Sequence, residues 1–178
     1  MLVSRVKTIL ALPIDKSVFY FTCWSVKKHA ATVFKFDADS GKSSRLTHVN
    51  LNFMDVYTVQ VKDGLFGFKQ NATPAQFFHY AAIEDASQPV MPVEKARPSI
   101  PRRFPSLVNF CDKILFVSGG WNPSDIKHFH NSVERYDIAR DVWSAAPALN
   151  VPRMNHSSCV LGYNAIYAFF GRNKTRYE

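Results

Sequence analysis

Two histidines separated by a single residue, His128 and His130, are the side chains in this sequence best spaced for metal binding. In an extended segment such a pair lies on one face, and two imidazoles so placed can bind zinc or iron. Asp125 is close in sequence and His156 follows later, but neither is assigned as a third ligand. A metal-dependent enzyme that uses His128 and His130 is therefore an alternative hypothesis. The default is a solvated polar loop, with no metal ligand and no cofactor.

Other catalytic signatures are missing from the sequence. It contains no glycine-rich phosphate loop, no nucleophile-elbow serine and no paired-cysteine zinc motif. The cysteines Cys23, Cys111 and Cys159 are odd in number and widely spaced, which argues against a disulfide framework. Each lies beside apolar residues, so we expect all three to be buried as small hydrophobic side chains. We predict no catalytic residue and a protein that is not an enzyme.

The segment around the two histidines has the composition of a binding loop. It runs from Trp121 to Asn131 and combines aromatic with cationic side chains, which are typical binding anchors on a rigid scaffold. Arginine nearby could bind acidic groups through two hydrogen bonds. Two alternatives stay open: the aromatic residues could only pack the loop down, and Arg102 and Arg153 could hold structure between units. The predicted binding residues are Trp121, Lys127, His128, Phe129, His130 and Arg103.

The composition predicts a folded domain without a membrane span. The chain has 178 residues, of which 47% are hydrophobic and 14% aromatic, far from a disordered composition. No stretch approaches the ~20 apolar residues of a membrane helix, and the first residues make a poor signal peptide, so we expect a cytoplasmic protein. The net charge of +8 favours acidic partners. A nucleic-acid-binding surface is the last-ranked alternative, since no recognised motif supports it.

Four short apolar runs recur at nearly constant spacing. Aligning Phe19, Phe66, Phe116 and Tyr167 gives steps of 47, 50 and 51 residues. Runs of four or five residues rich in aromatic and β-branched side chains suit strands that are buried on both faces. The spacing therefore predicts repeated units, the last of them incomplete. The predicted boundaries are about 1–53, 54–101, 102–152 and 153–178, within a single domain 1–178.

Each apolar run follows a turn signal and another strand-like segment, so each unit is predicted to open with a hairpin. Aspartate, asparagine and glycine tolerate the left-handed backbone that a tight turn needs. The turns are Asp15-Lys16, Asp63-Gly64, Asp112-Lys113 and Gly162-Tyr163-Asn164.

A third strand is predicted to end in an apolar residue followed by an acid. This pair is Phe36-Asp37, Ile83-Glu84 or Tyr136-Asp137 in successive units, and a weak fourth strand follows near Val142-Trp143. The proline-rich stretches 89–105 and 147–152 are predicted to be extended connections. The fold class is therefore all-β, with units of about four antiparallel strands that must stack on one another to bury both faces.

The third unit carries the most specific pattern. Gly119-Gly120 closes its central strand, Tyr136 and Trp143 follow at fixed spacing, and Pro152-Arg153 opens the next unit. From Arg102 to Arg153 the sequence closely resembles one kelch repeat, and the other units resemble degenerate copies. The chain thus looks like a partial kelch-like β-propeller, with about three four-stranded blades plus a half blade.

The resemblance implies a structural role for several residues and a binding role for the whole. Glycines allow positive φ where the chain leaves a crowded strand, and large aromatic side chains fill the space between blades. Kelch propellers generally act as protein-interaction platforms, so we expect a non-enzymatic module that binds a protein partner, such as an acidic segment, through its inter-strand loops. The structural motif residues are Gly119, Gly120, Tyr136, Trp143 and Arg153.

Three and a half blades are fewer than the four to eight of a closed propeller. An open arc leaves bare strand edges, which are a route to dimers. A homodimer through open blade edges is therefore a further expectation.

Overall fold

Hydrogen-bonded β-strands make up the regular structure of the computed structural model, which describes residues 5–9, 18–25, 30–49, 56–69, 74–81, 92–162 and 164–173. Across these ranges no residue is helical, so they contain no helix long and apolar enough to cross a membrane. The prediction of an all-β fold is confirmed.

The first two units each form a four-stranded antiparallel sheet in which the strands follow chain order. The first sheet contains β1 (Arg5–Ile9), β2 (Val18–Ser25), β3 (Ala30–Asp37) and β4 (Lys42–Val49). The second contains β5 (Val56–Val61), β6 (Gly64–Lys69), β7 (Gln76–Ala81) and β8 (Val93–Glu94).

The third unit adds a hairpin between its second and third sheet strands. Its sheet contains β9 (Ser106–Phe110) and β10 (Ile114–Ser118), and the chain then forms the separate hairpin of β11 (Trp121–Asn122) and β12 (Asp125–Phe129). It returns as β13 (Val133–Asp137) and β14 (Val142–Ala146), in the order β9, β10, β13, β14. A final pair follows, β15 (Ser157–Leu161) and β16 (Ala165–Phe169). Three four-stranded sheets and a two-stranded sheet match the predicted partial propeller.

Two details of the second sheet differ from the sequence prediction. Strand β8 lies inside the proline-rich stretch that was predicted to be only a connection; it is two residues long and follows Pro92, as expected where proline removes a ladder donor. In addition, Tyr80 pairs with Leu65 as Tyr136 pairs with Leu115. Tyr80 therefore has in this sheet the register position that Tyr136 has in the third, while Ile83, the residue predicted for that position, lies outside the described residues.

Two predicted turns are present between strands, and one of them exposes a cysteine that was predicted to be buried. Gly64 and Asp112 have positive φ, 141° and 54°, at two of the predicted turns. Cys111 also has positive φ, 55°, and is exposed in the β9–β10 turn, so its predicted burial is wrong: it sits at the turn itself rather than in the strand. Cys159 is half-buried. The Asp15-Lys16 turn, the Ile83-Glu84 strand end and the side chain of Cys23 lie outside the described residues.

An aromatic cluster joins the second and third sheets. Phe66, Phe77 and Tyr136 are at most 1% exposed, and the Tyr136 ring lies 5.6 Å from Phe66 and 4.9 Å from Phe77, edge to face in both cases. Trp143 covers the cluster, with its ring 5.0 Å from Phe77 and from Tyr136. Aromatic pairs at such distances add to the stability gained from their buried area.

Polar contacts fix the same two sheets in register. The indole Nε1 of Trp143 donates to the carbonyl of Ala96 at 2.7 Å. Asp141 accepts from the Ala96 amide at 2.8 Å and from the Tyr136 hydroxyl at 2.7 Å. Burial acts to raise the pKa of Asp141, but these hydrogen bonds outweigh it and the pKa is lowered. The carboxylate therefore stays charged and holds the connection 95–97 against the third sheet.

A buried ion pair ties the start of the third unit to its third strand. Arg102 and Glu134 have side chains 0% and 4% exposed, with Nη2 and Oε2 3.0 Å apart. Arg102 Nη1 also donates to the carbonyls of Gly119 and Ser132, at 2.8 and 2.9 Å. Glu134 accepts in addition from the amide and hydroxyl of Ser99. Because both charges are fully hydrogen-bonded, their burial is tolerated.

The third and fourth units meet around His156. Its ring Nε2 lies 2.8 Å from the Ser118 hydroxyl, and the side chain is buried. The Gly120 amide donates to the carbonyl of Arg153 at 2.8 Å, and the Asn155 amide donates to the carbonyl of Phe104 at 3.0 Å. The successive units are therefore joined by hydrogen bonds as well as by packing.

Replacing Gly120 should destabilise the fold much more than replacing Gly41. Gly120 has φ of +91°, and an added Cβ would lie 2.7 Å from the Arg103 carbonyl oxygen, whereas Gly41, at φ +65°, has open space around that position. Gly41→Ala should cost only backbone strain, about 1 kcal/mol. Gly120→Ala should add steric overlap, about 3 kcal/mol in total. Urea unfolding measures both, and equal costs would contradict this account of Gly120.

Stability should fall on mild acidification, partly because of His156. Burial, reinforced by Arg153, lowers its pKa from 6.5 to about 4. Below pH 6.5 the unfolded chain therefore gains a proton that the folded chain does not, so the folded state loses up to roughly 1.4 kcal/mol per pH unit from this group. His156→Gln should give a shallower decline in the free energy of unfolding between pH 6.5 and about 4. An unchanged slope in the variant would show that His156 does not contribute.

Candidate functional site

The segment predicted as a binding loop is a β-hairpin that projects beyond the third sheet. Trp121 pairs with Phe129 and Asn122 with Asp125, with a register shift between the two pairs. The Ser124 amide donates to the Asn122 side chain at 2.9 Å, which closes the turn. Backbone pairing therefore sets the strand positions of this segment, although the register shift makes the hairpin irregular. We call strands β11 and β12 with their turn the recognition hairpin.

The recognition hairpin is attached to the body of the third unit on both of its strands. Trp121 and Arg103 exchange two backbone hydrogen bonds of 2.9 Å each. The Arg103 guanidinium carbon lies 5.6 Å from the centre of the Trp121 ring, in a cation–π contact. On the other strand, the His130 amide donates to the carbonyl of Gly120 at 2.8 Å. The turn at Gly119-Gly120 therefore sets the position of the hairpin.

The structure brings most of the predicted binding residues into this one element. His128 is exposed, while Trp121, Phe129, His130 and Arg103 are half-buried. Lys127 lies in β12 next to His128. Trp121 contacts Arg103 and still exposes part of its surface.

The two histidines lie near one another but in different environments. Their ring centres are 5.2 Å apart, nearly perpendicular. Burial lowers the pKa of His130 to about 4, and the positive charges of Arg102 and His128 add to the effect. His130 is therefore neutral at physiological pH.

The described residues give the metal hypothesis no third ligand. Among them no group of three or more histidine, cysteine, aspartate or glutamate side chains could hold a metal ion. His156 is paired with Ser118 instead of His130. The chemistry of this region is thus that of hydrogen-bond donors and a nearby cation, which suits an acceptor-bearing ligand.

Two unsatisfied donors in the site were not foreseen from the sequence. The Arg103 Nε and the Trp121 Nε1 are buried atoms without a hydrogen-bond partner in the described structure. Nitrogen donors of this kind normally find an acceptor, but both atoms are enclosed within the junction between the hairpin and the third unit. No sequence signal could have revealed them, because the contact between Arg103 and Trp121 depends on how the hairpin folds back.

The residues predicted to be structural lie at the contacts between units. Tyr136 and Trp143 belong to the aromatic cluster, and an added Cβ at Gly119 would overlap the Arg153 carbonyl oxygen. Arg153 Nη1 donates to the carbonyl of Phe170 at 2.6 Å. These positions support the site without forming part of it.

Comparison with known protein families agrees with this geometry. Residues 102–150 match the model of the kelch motif. The match spans the third sheet and the recognition hairpin, from the buried Arg102 through the Gly119-Gly120 turn to the end of β14. The third unit of this chain is therefore similar to a kelch motif, and the described residues have an all-β architecture consistent with a partial propeller.

Proposed function

We propose that this chain is a non-enzymatic protein–protein interaction module that docks an acidic partner segment on the recognition hairpin. Kelch motifs generally serve protein interaction, which supports the coarse function. The observation that carries the finer proposal is the half-buried cation–π pair of Arg103 and Trp121, which lies where the hairpin joins the third unit.

The hairpin combines the features of a binding anchor. Its base is fixed by the paired backbones of Arg103 and Trp121, so little ordering entropy is lost when a partner binds. Trp121 and Phe129 offer partly exposed aromatic surface, and His128 is exposed at the end of β12. Aromatic and arginine side chains dominate binding energy at interfaces.

Charge supports an acidic partner. The chain has a net charge of +8, and a basic surface accelerates the approach of acidic segments. Arg103 is half-buried, and an arginine guanidinium can give a carboxylate charge-assisted hydrogen bonds. A cytoplasmic location, predicted from the sequence, is part of the same proposal.

Removing two cationic or polar side chains of the hairpin should weaken binding without unfolding the protein. A double variant, Lys127→Ala with His128→Ala, tests this, because both residues belong to β12 and His128 is exposed. The matched control is Lys113→Ala with Arg140→Ala, two exposed residues away from the hairpin. Peptides selected from a random library on the wild-type protein should bind the hairpin variant about tenfold more weakly and the control almost unchanged.

The selected sequences themselves provide a second criterion. They should be enriched in aspartate and glutamate, and their binding should weaken as salt is added. Selected peptides that are not acidic, or that bind both double variants equally well, would contradict the proposal.

A further inference from the structure

The connection between the second and third sheets carries an exposed serine that contacts a buried carboxylate. Residues 95–102 form no helix or strand, and Ser99 is exposed where this segment bends. Its hydroxyl donates to Oε1 of Glu134 at 2.7 Å, and its amide donates to the same oxygen at 2.8 Å. The Glu134 side chain is only 4% exposed. A residue at the surface therefore supplies two of the hydrogen bonds that satisfy a buried charge.

Arg97, two residues before Ser99, is an exposed cation in a weak ion pair. Its guanidinium lies 2.8 Å from the carboxylate of Glu94, and the two side chains are 49% and 46% exposed. Exposed pairs of this kind contribute little to stability, because water competes for both charges. Arg97 and Ser99 also line the same surface groove, which has a volume of about 660 Å³. A group added to Ser99 therefore has room beside a cation that is easily re-paired.

The sequence around Ser99 has the charge pattern of a kinase substrate. Lys95 and Arg97 precede the serine by four and two residues, and the apolar Ile100 follows it. Protein kinases discriminate among substrates partly by such charge patterns, and a cleft with acidic side chains attracts a basic segment. Arg97 is exposed and Lys95 is half-buried, so Arg97 is the cation best placed for this contact.

We propose that Ser99 is a phosphorylation site for a serine kinase that recognises basic residues, and that the phosphate releases residues 97–101 from the third sheet. The Ser99 Oγ bonds to the γ-phosphorus of ATP, the bond between that phosphorus and the β–γ bridging oxygen breaks, and ADP leaves. The hydroxyl proton passes to the base of the kinase. The product has no hydroxyl to donate to Glu134 and carries roughly two negative charges instead.

Repulsion between like charges drives the structural change. The phosphate is attached to an oxygen that lies 2.7 Å from the Glu134 carboxylate, and little water screens that buried charge. Glu134 keeps its contact with the buried guanidinium of Arg102, 3.0 Å away, so the exposed connection moves instead. The phosphate turns outward and pairs with Arg97. This change does not depend on partner binding at the recognition hairpin.

Phosphate transfer is tested with the purified chain, labelled ATP and a panel of purified serine kinases that prefer basic residues. At least one kinase should label Ser99, as located by mass spectrometry, and Ser99→Ala should remove that label. Arg97→Gln should slow the labelling about tenfold, whereas Arg140→Gln, a charge-matched control away from the site, should leave the rate unchanged. No label on Ser99 with any kinase, or a rate that does not depend on Arg97, would overturn the assignment.

The amide of residue 99 reports whether the phosphate releases the connection. In the unmodified protein this amide is hydrogen-bonded to Glu134, and phosphorylation should lower its protection factor in native-state hydrogen exchange about tenfold. Ser99→Ala is the matched control, because it removes the hydroxyl and keeps the amide, so its protection factor should stay within about threefold of wild type. A phosphorylated protein that retains the original protection, or an equal loss in Ser99→Ala, would show that the phosphate charge does not release the connection.

Discussion

The packing of one flat sheet on the next is the interaction on which the rest of this structure depends. A sheet whose strands are apolar on both faces cannot stay folded alone, because one face would remain in water. The second sheet removes one face from water because Phe66 and Phe77 pack against Tyr136 of the third sheet. Trp143 then closes the outer side of the cluster and hydrogen-bonds to the carbonyl of Ala96. The second and third sheets thus share one core.

The position of the proposed binding surface on the recognition hairpin depends on this packing. The first strands of the second and third units, β5 and β9, lie against each other, and β9 also lies against β15 of the fourth unit, so packed sheets support the connections between strands. Gly119 and Gly120 turn the chain sharply out of β10, and the recognition hairpin begins at the next residue. The same turn receives Arg102 from within the unit and the Arg153 backbone from the next. The proposed recognition site and the contact between the third and fourth units therefore share one junction, and His128 of β12 is exposed beside it.

Sequence reasoning predicted the all-β class and most of the strand positions, because short aromatic runs with turn residues leave few other structures. It did not predict β8, whose two residues pair with β7 only because the chain returns there. It placed Cys111 in the core from its apolar neighbours, although the tight turn exposes it. The Arg102–Glu134 pair was also missed, since their contact spans residues that only the folded sheet brings together. The local sequence pattern was enough to locate the strands, whereas the burial and the partners of individual side chains depend on contacts between residues that are far apart in the sequence.

Native-state hydrogen exchange in a Phe77→Leu variant tests the central claim most directly. Phe77 belongs to β7, yet its ring contacts Tyr136 and Trp143 in the third sheet. If the sheets share one core, the amides of β10 and β13 should lose protection together with those of β6 and β7. The exposed Val93→Ala substitution in the same sheet should leave the third sheet unchanged. Loss of protection confined to β6 and β7 would contradict the account, because the sheets would then be stable independently of one another.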